Sequence, residues 1–128
     1  MLYTSLVIHQ RALAMAQVKS AARVFAQDIL LLRERSLSGS DCGHITISND
    51  CKGYWVYRRP NLVEKKRGFA LAGSENVRFY SIPAYVIRFS INGVPSVSGT
   101  YTLQHAKVSS AKAAVSLQPV TGRVRIEW

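Results

Sequence analysis

Residues 11–37 read RALAMAQVKSAARVFAQDILLLRERSL and contain neither glycine nor proline. Apolar residues recur in this segment at steps of three and four, the spacing that places side chains on one stripe of an α-helix. Alanine, leucine, arginine and glutamine are good helix formers, so the composition agrees with the spacing. The segment is therefore predicted to form a long helix with one buried face, made of Ala14, Val18, Ala21, Ala22, Phe25, Ile29 and Leu32.

The apolar character continues upstream, because residues 1–8 read MLYTSLVI and also lack glycine and proline. We therefore predict one helix over residues 1–37, about 55 Å long at ~1.5 Å per residue. A domain of this size has a radius of about 14 Å, so the front of the helix is expected to project beyond it. The apolar run is too short to cross a bilayer, and no basic segment of a secretory signal precedes it. We expect Met1 to lie inside a longer, more hydrophobic helix; the alternative is an intact soluble protein with a frayed N-terminus.

The remainder of the chain has the pattern of short strands separated by turns. Ile45 and Ile47 alternate with polar residues, and residues 49–53 (NDCKG) form a hairpin-type turn before the β-rich residues 54–57 (YWVY). Strands this short and evenly spaced leave no room for crossover helices, so antiparallel pairing is expected. The predicted fold class is α+β, with residues 38–128 forming an antiparallel β domain that packs on the helix as one globular unit.

The charge of the chain is strongly positive. Seventeen lysines and arginines against seven acidic residues give a net charge of +10. Such a balance favours anionic partners, namely nucleic acid, acidic lipid or acidic proteins, without choosing among them.

The two cysteines, Cys42 and Cys51, have a spacing that matches no zinc-ligand pair. A disulfide is compatible with an exported protein. A straight strand between the two residues would hold them too far apart, since a disulfide needs Cα atoms within about 7 Å. The bond requires residues 42–44 to fold back, and the sequence leaves both states of the pair open.

An ordered set of segments resembles the GspH/FimT-type minor pilins and pseudopilins. Residues 22–40 (ARVFAQDILLLRERSLSGS) resemble the end of the family's helix, and residues 87–93 (IRFSING) resemble a following strand and turn. Residues 99–103 (GTYTL) resemble the next strand. Residues 114–117 (AVSL) with residues 122–125 (GRVR) resemble the family's C-terminal motif. The order holds over residues 20–128 and implies a pilin-like fold, with a long N-terminal helix packed against antiparallel sheets.

The resemblance also implies how the protein is exported, processed and assembled. Members of this family are exported, anchored in the inner or cytoplasmic membrane by the N-terminal helix, processed by a prepilin peptidase and assembled with other pilins into a fibre on the cell surface or in the periplasm. The membrane-spanning half of the helix is expected to be missing from this sequence. Tyr3, Leu6, Val7 and Ala14 would then contact neighbouring subunits.

The motif at residues 122–125 suggests a DNA-binding role. Arg123 and Arg125 lie two apart on a predicted strand, so both side chains leave the same face, while Val124 and Ile126 point inward. In FimT-type proteins linked to DNA uptake, this motif contacts DNA, and Gly122, Arg123 and Arg125 match it. The expected partner is double-stranded DNA, bound without sequence preference, in a type IV or competence pilus subunit; competence pilins of the ComGD type are possible relatives.

Two other functions stay open. GspH-type pseudopilins of type II secretion end in similar sequences, so the motif can also serve only to shape a hairpin. A stand-alone basic nucleic-acid-binding module is the third hypothesis, in which Tyr54, Trp55 and Tyr57 stack on bases while Arg58 and Arg59 bind phosphate. Against that patch, we predict that Trp55 and Tyr57 face the core and cover the helix.

No enzymatic signature is present. The three histidines are scattered, the carboxylates show no spaced pair for acid–base work, and no G-x-S-x-G, Walker A or H-E-x-x-H motif occurs. We predict a protein that is not an enzyme and that carries no cofactor or metal.

Overall fold

A computed structural model describes the backbone of residues 2–38, 43–59, 62–68, 76–119, 121 and 123–128, and the side chains of residues 9–38, 43–57, 68, 76–119, 121 and 123–128. Helix α1 spans Leu2–Ser38, within one residue of the predicted bounds. Two serine hydroxyls donate hydrogen bonds to backbone carbonyls in the last turns of α1. Ser36 Oγ donates to the Leu32 carbonyl (3.0 Å) and Ser38 Oγ to the Arg35 carbonyl (2.8 Å). Serine bonds of this kind satisfy carbonyls of the last turns and compete with continuation of the helix.

Within the described residues, eight strands form two antiparallel sheets. The first has the order β3-β2-β1-β5 and consists of β1 (His44–Ile47), β2 (Gly53–Arg59), β3 (Leu62–Gly68) and β5 (Val86–Ile87). The second has the order β4-β6-β7-β8 and consists of β4 (Val77–Ser81), β6 (Gly99–His105), β7 (Lys112–Leu117) and β8 (Val124–Glu127). The predicted α+β class, with one long helix and antiparallel sheets, is confirmed.

The buried face of α1 packs mainly on the second sheet, against β6, β7 and β8, and also reaches β1 and β4. All seven residues of the predicted stripe are buried, so the three-and-four spacing identified the core face correctly. Phe25 is fully buried at the centre of this packing. Its ring meets Tyr54 of the first sheet edge-on at 5.1 Å, and Phe79 and Tyr101 of the second sheet at 5.0 and 5.4 Å. Phe25 therefore joins both sheets to the helix.

The β1–β2 hairpin forms as the turn residues predict. Ser48 Oγ donates to Asp50 Oδ1 (2.7 Å), and the Asp50 carboxylate also accepts from the Lys52 N–H (3.0 Å). These bonds hold the pKa of Asp50 below its usual range. Cys51 has a φ of 60°, which lies in the left-handed region that tight turns require.

The pairing of β1 and β2 corrects one prediction. Trp55 and Tyr57 are not core-facing; they are half buried, while Tyr54 and Val56 are 1% and 4% exposed. The register places Tyr54 and Val56 opposite the two buried isoleucines of β1. Side chains directly opposite each other in antiparallel strands share a face, so the alternate residues of β2 point away from the helix.

Candidate functional site

Strand β8 positions the two arginines of the C-terminal motif. The strand pairs with β7, with Ser116 opposite Arg125, and the turn between them closes with a hydrogen bond from the Gln118 N–H to the Arg123 carbonyl (2.9 Å). Val124 and Ile126 are half buried and pack against the core. The alternation along the strand therefore leaves both arginines exposed on the outer face of the second sheet. Gly122 lies outside the described residues.

The arginine pair lines a cleft that is open to solvent. A cleft of about 490 Å³ is lined by Gln118, Thr121, Arg123, Val124 and Arg125. Glu127 Oε1 lies 3.7 Å from Arg125 Nε, with the two side chains 61% and 72% exposed. An ion pair so exposed contributes little to stability, and the two arginines with this one carboxylate leave a net positive charge beside the cleft.

The other residues predicted to bind DNA lie elsewhere in the fold. Arg58 and Arg59 end strand β2 of the first sheet, and their side chains lie outside the described residues. Tyr54 is buried and its hydroxyl donates to Asp28 Oδ2 at 2.7 Å, so it cannot belong to an exposed stacking patch. The Tyr57 ring stacks on the imidazole of His44 at 4.4 Å. The structure thus does not gather the aromatic residues of β2 into one binding surface.

The helix residues predicted to contact neighbouring subunits divide into two groups. Tyr3, Leu6 and Val7 belong to α1, but their side chains lie outside the described residues. Ala14 is only 2% exposed and belongs to the domain's own core. The expected contact of Ala14 with a neighbour is therefore wrong, because the methyl group is already covered by this chain.

Sequence reasoning missed the exposed leucines of the helix. Leu13, Leu30 and Leu37 are 52%, 42% and 45% exposed. They lie off the buried stripe, and each costs free energy by keeping apolar surface in water. The sequence did contain a signal for them, because these leucines fall outside the buried apolar stripe of the helix.

A second missed feature links the C-terminal strand to the helix. Lys19 Nζ and Arg23 Cζ lie 5.3 and 5.2 Å from the ring centroid of Trp128, distances at which a cation is attracted to an aromatic face. Strand β8 is thereby tied to α1 beyond its last paired residue. No sequence pattern joins these residues, since the contact exists only when β8 lies beside the helix.

The predicted disulfide is not tested by the structure. Cys42 lies outside the described residues, and Cys51 is half buried. Whether the two cysteines are bonded therefore stays open, as the sequence left it. Thiol labelling followed by mass spectrometry without reductant checks it: two alkylated thiols in the exported protein would contradict the bond.

The titratable groups form no catalytic arrangement within the described part of the chain. His44 and His105 lie on strands of different sheets, and burial lowers the pKa of each. Burial raises the pKa of Tyr101 to about 12, so this hydroxyl stays protonated at neutral pH. Among the described residues, no three side chains of histidine, cysteine, aspartate or glutamate come together as a metal site. Over the same residues, no helix has an apolar segment long enough to cross a membrane.

A long helix packed against two antiparallel sheets is the fold that this chain shares with solved structures of a minor pilin and a minor pseudopilin. The chain is similar to the type IV minor pilin FimU of Pseudomonas aeruginosa, with 16% identity over 88% of this chain and 89% of that chain and a TM-score of 0.71. It is also similar to the minor pseudopilin EpsH of the type 2 secretion system of Vibrio cholerae, with 16% identity, 87% and 96% coverage and a TM-score of 0.66. No protein-family model matches the sequence, and no curated protein sequence is significantly similar to it. The resemblance in the sequence is confirmed at the level of the fold.

Proposed function

We propose that this chain is a minor pilin or pseudopilin subunit whose role is structural rather than enzymatic. The observation that supports this most strongly is the likeness of nearly the whole chain to FimU and EpsH. Such a subunit is exported, anchored in the inner membrane by its N-terminal helix, cleaved by a prepilin peptidase and assembled with other pilins into a fibre. Tyr3, Leu6 and Val7 remain the proposed assembly residues at the front of the helix.

Leu30 and Leu37, which lie seven residues apart on one face of α1, extend this assembly surface, and Leu13 is exposed on another face of the helix. A fibre of packed helices would cover Leu13, Leu30 and Leu37, removing from water the apolar surface that the isolated domain leaves exposed. The test is incorporation of the full-length protein into sheared fibres from producing cells, detected by immunoblot. Leu30→Glu should abolish incorporation without altering the melting temperature of the domain, whereas Gln27→Glu, an exposed neighbour on the same helix, should not. Normal incorporation of Leu30→Glu would refute this part of the proposal.

The proposed second role is binding of double-stranded DNA without sequence preference, through Arg123 and Arg125. The arginines are exposed, and alternate residues of a strand stand about 6.8 Å apart, close to the spacing of adjacent phosphates along one DNA strand. Guanidinium groups bind phosphate oxygens with charge-assisted hydrogen bonds. Such binding is expected to have dissociation constants of about 10⁻⁴ to 10⁻⁶ M at physiological salt. A weak grip suits a fibre that captures DNA of any sequence and later releases it.

Fluorescence anisotropy with two unrelated DNA duplexes over a salt series tests the DNA role. Arg123→Gln with Arg125→Gln should weaken binding to both duplexes equally and lower the salt slope by about 0.9 for each phosphate that the variant no longer neutralises. Lysine at both positions should retain most of the slope, because a lysine still supplies the positive charge. The matched control is Arg11→Gln with Arg88→Gln. It also removes two positive charges, but one lies on the helix and the other follows β5 of the first sheet. If the glutamine pair at 123 and 125 binds as tightly as the parent, the assignment is wrong.

The second candidate function is that of a type II secretion pseudopilin without a DNA role, and the likeness to EpsH favours it. Under this hypothesis the turn before β8 serves only to shape the hairpin. Absence of DNA binding by the parent protein at low salt would support this function and remove the DNA role. The third hypothesis, a stand-alone nucleic-acid-binding module that stacks on bases, is tested by the same titration with a single-stranded oligonucleotide, and absence of binding there would remove it.

A further inference from the structure

The outer face of the second sheet is mostly polar. On β6 and β7 the residues of this face alternate with buried core residues, and the hydroxyl groups of Thr100 and Ser116 lie 3.2 Å apart across the two strands. The face and the turn before β8 carry four cations, Arg78, Lys112, Arg123 and Arg125, and one carboxylate, Glu127. A face with this excess of positive charge and without a large aliphatic side chain is complementary to a polyanion, not to an apolar protein surface.

The cations stand in two groups at opposite corners of this face. Arg123 and Arg125 occupy the corner at β8. The other corner, here called the Tyr80 corner, consists of Arg78, Tyr80 and Lys112. The register aligns Arg78 with Gln104 and Gln104 with Lys112, so the two cations lie in one row across β4, β6 and β7.

Tyr80 is the exposed aromatic residue of this second group. It occupies an irregularity in β4 between Phe79 and Ser81 and is 65% exposed. The Lys112 ammonium lies 5.6 Å from the centroid of its ring, which directs the side chain across the sheet toward β7. No ion pair engages Arg78 or Lys112 within the described part of the chain. The Tyr80 corner therefore presents two cations and a phenol hydroxyl, all groups that contact phosphate and sugar in nucleic-acid complexes.

The two corners are far enough apart to contact different phosphates of one duplex. Ser116 pairs with Arg125 and lies four residues from Lys112 on β7, so the Cα atoms of Lys112 and Arg125 are about 14 Å apart. Arg78 lies two strands further across, which places it roughly 20 Å from Arg125. At 3.4 Å per base pair, this diagonal corresponds to about six base pairs of duplex.

We infer that the whole outer face of the second sheet is the DNA-binding surface, and that the Tyr80 corner is a second phosphate-binding site beside the arginine pair of β8. This inference rests on the proposed DNA role and extends it. The duplex lies diagonally over the sheet, held by phosphate contacts at both corners. The residues between the corners are uncharged, namely Thr100, Thr102, Gln104, Ala114 and Ser116. The proposed contacts are charge contacts to phosphates, which carry no sequence information, so binding is expected to be independent of sequence.

The test is the salt slope of duplex binding by the intact protein. The parent slope of log Kd against log salt should be near 3.6, because four cations each contribute about 0.9. Arg78→Gln with Lys112→Gln should lower this slope by about 1.8, as much as Arg123→Gln with Arg125→Gln, and the quadruple variant should abolish nearly all of it. Arg78→Lys should keep the parent slope, since the charge is retained.

The control pair Arg11→Gln with Arg88→Gln separates specific contacts from diffuse attraction. The inference holds if the slope falls in the Tyr80-corner variant and stays at the parent value in the control pair. If the Tyr80-corner variant matches the control pair while the slope falls in the variant at 123 and 125, the inference fails and the proposed DNA role stands. If the slope falls equally in all three pairs, diffuse charge alone attracts DNA and both ideas fail. If the parent does not bind, the DNA role itself is refuted.

Discussion

Replacement of Phe25 by alanine tests the packing on which the fold depends. Phe25 is fully buried, and its ring contacts three aromatic rings from β2, β4 and β6 at 5.0–5.4 Å. The substitution removes six ring carbons from a site where the helix meets both sheets. Phenylalanine to alanine in a core costs about 3–5 kcal/mol, as the sum of the transfer free energy of the removed atoms and the cavity left behind.

The structure favours the upper part of that range. Each edge-to-face aromatic pair contributes about 0.5–1.5 kcal/mol beyond its buried area, and Phe25 makes three of them. The surrounding rings belong to strands held by their own hydrogen-bonded neighbours, so the site cannot collapse fully around the smaller side chain. We expect a loss of about 4–5 kcal/mol in the free energy of unfolding.

Urea denaturation followed by circular dichroism measures this loss. Gln27→Ala, an exposed position two residues along the same helix, should change stability by no more than about 0.5 kcal/mol. Phe25→Leu should give an intermediate loss, since leucine fills part of the cavity. A loss below about 1 kcal/mol for Phe25→Ala, with an unchanged denaturant dependence, would show that this ring is not central to the core.

Three further predictions concern stability. The free energy of unfolding should fall as the pH is lowered from 7.5 to 5, because burial lowers the pKa of His105 and His44 in the folded state. In the unfolded chain both histidines take up protons near their ordinary pKa of about 6.5, whereas in the folded chain they stay neutral to lower pH, so acid favours unfolding. His105 Nδ1 accepts hydrogen bonds from two backbone N–H groups, so His105→Gln should flatten the pH dependence of the urea midpoint, and a parent midpoint independent of pH would contradict the argument. Gly93→Ala should lower the melting temperature, since Gly93 has a φ of 76° and an added Cβ would lie 3.0 Å from Leu37 Cδ2; an unchanged or raised melting temperature would count against it. Tyr54→Phe should cost about 1–3 kcal/mol in chemical denaturation, because the substitution removes a 2.7 Å hydrogen bond to the buried Asp28 carboxylate; a neutral effect would mean that water or another group replaces the hydroxyl.

The sequence by itself determined the helix, its buried stripe and the alternation along β8. In each case polar and apolar residues alternate with a clear period, and the period alone assigns the faces. The same alternation along residues 123–127 sufficed to place Arg123 and Arg125 on an exposed face. Their DNA contacts remain a proposal.

Only the tertiary structure decided the faces of β2 and the grouping of distant residues. Residues 54–57 read YWVY, so both faces of this strand are apolar. The alternation therefore cannot tell which face is buried, and only the pairing of Tyr54 opposite Ile47 decides it. The partition of the described strands into two sheets likewise follows from long-range pairing. That pairing aligns Arg78 with Lys112 across β6 and places Trp128 beside Lys19. Contacts between residues so far apart in the chain have no local signature, because they depend on how whole strands pack around the helix.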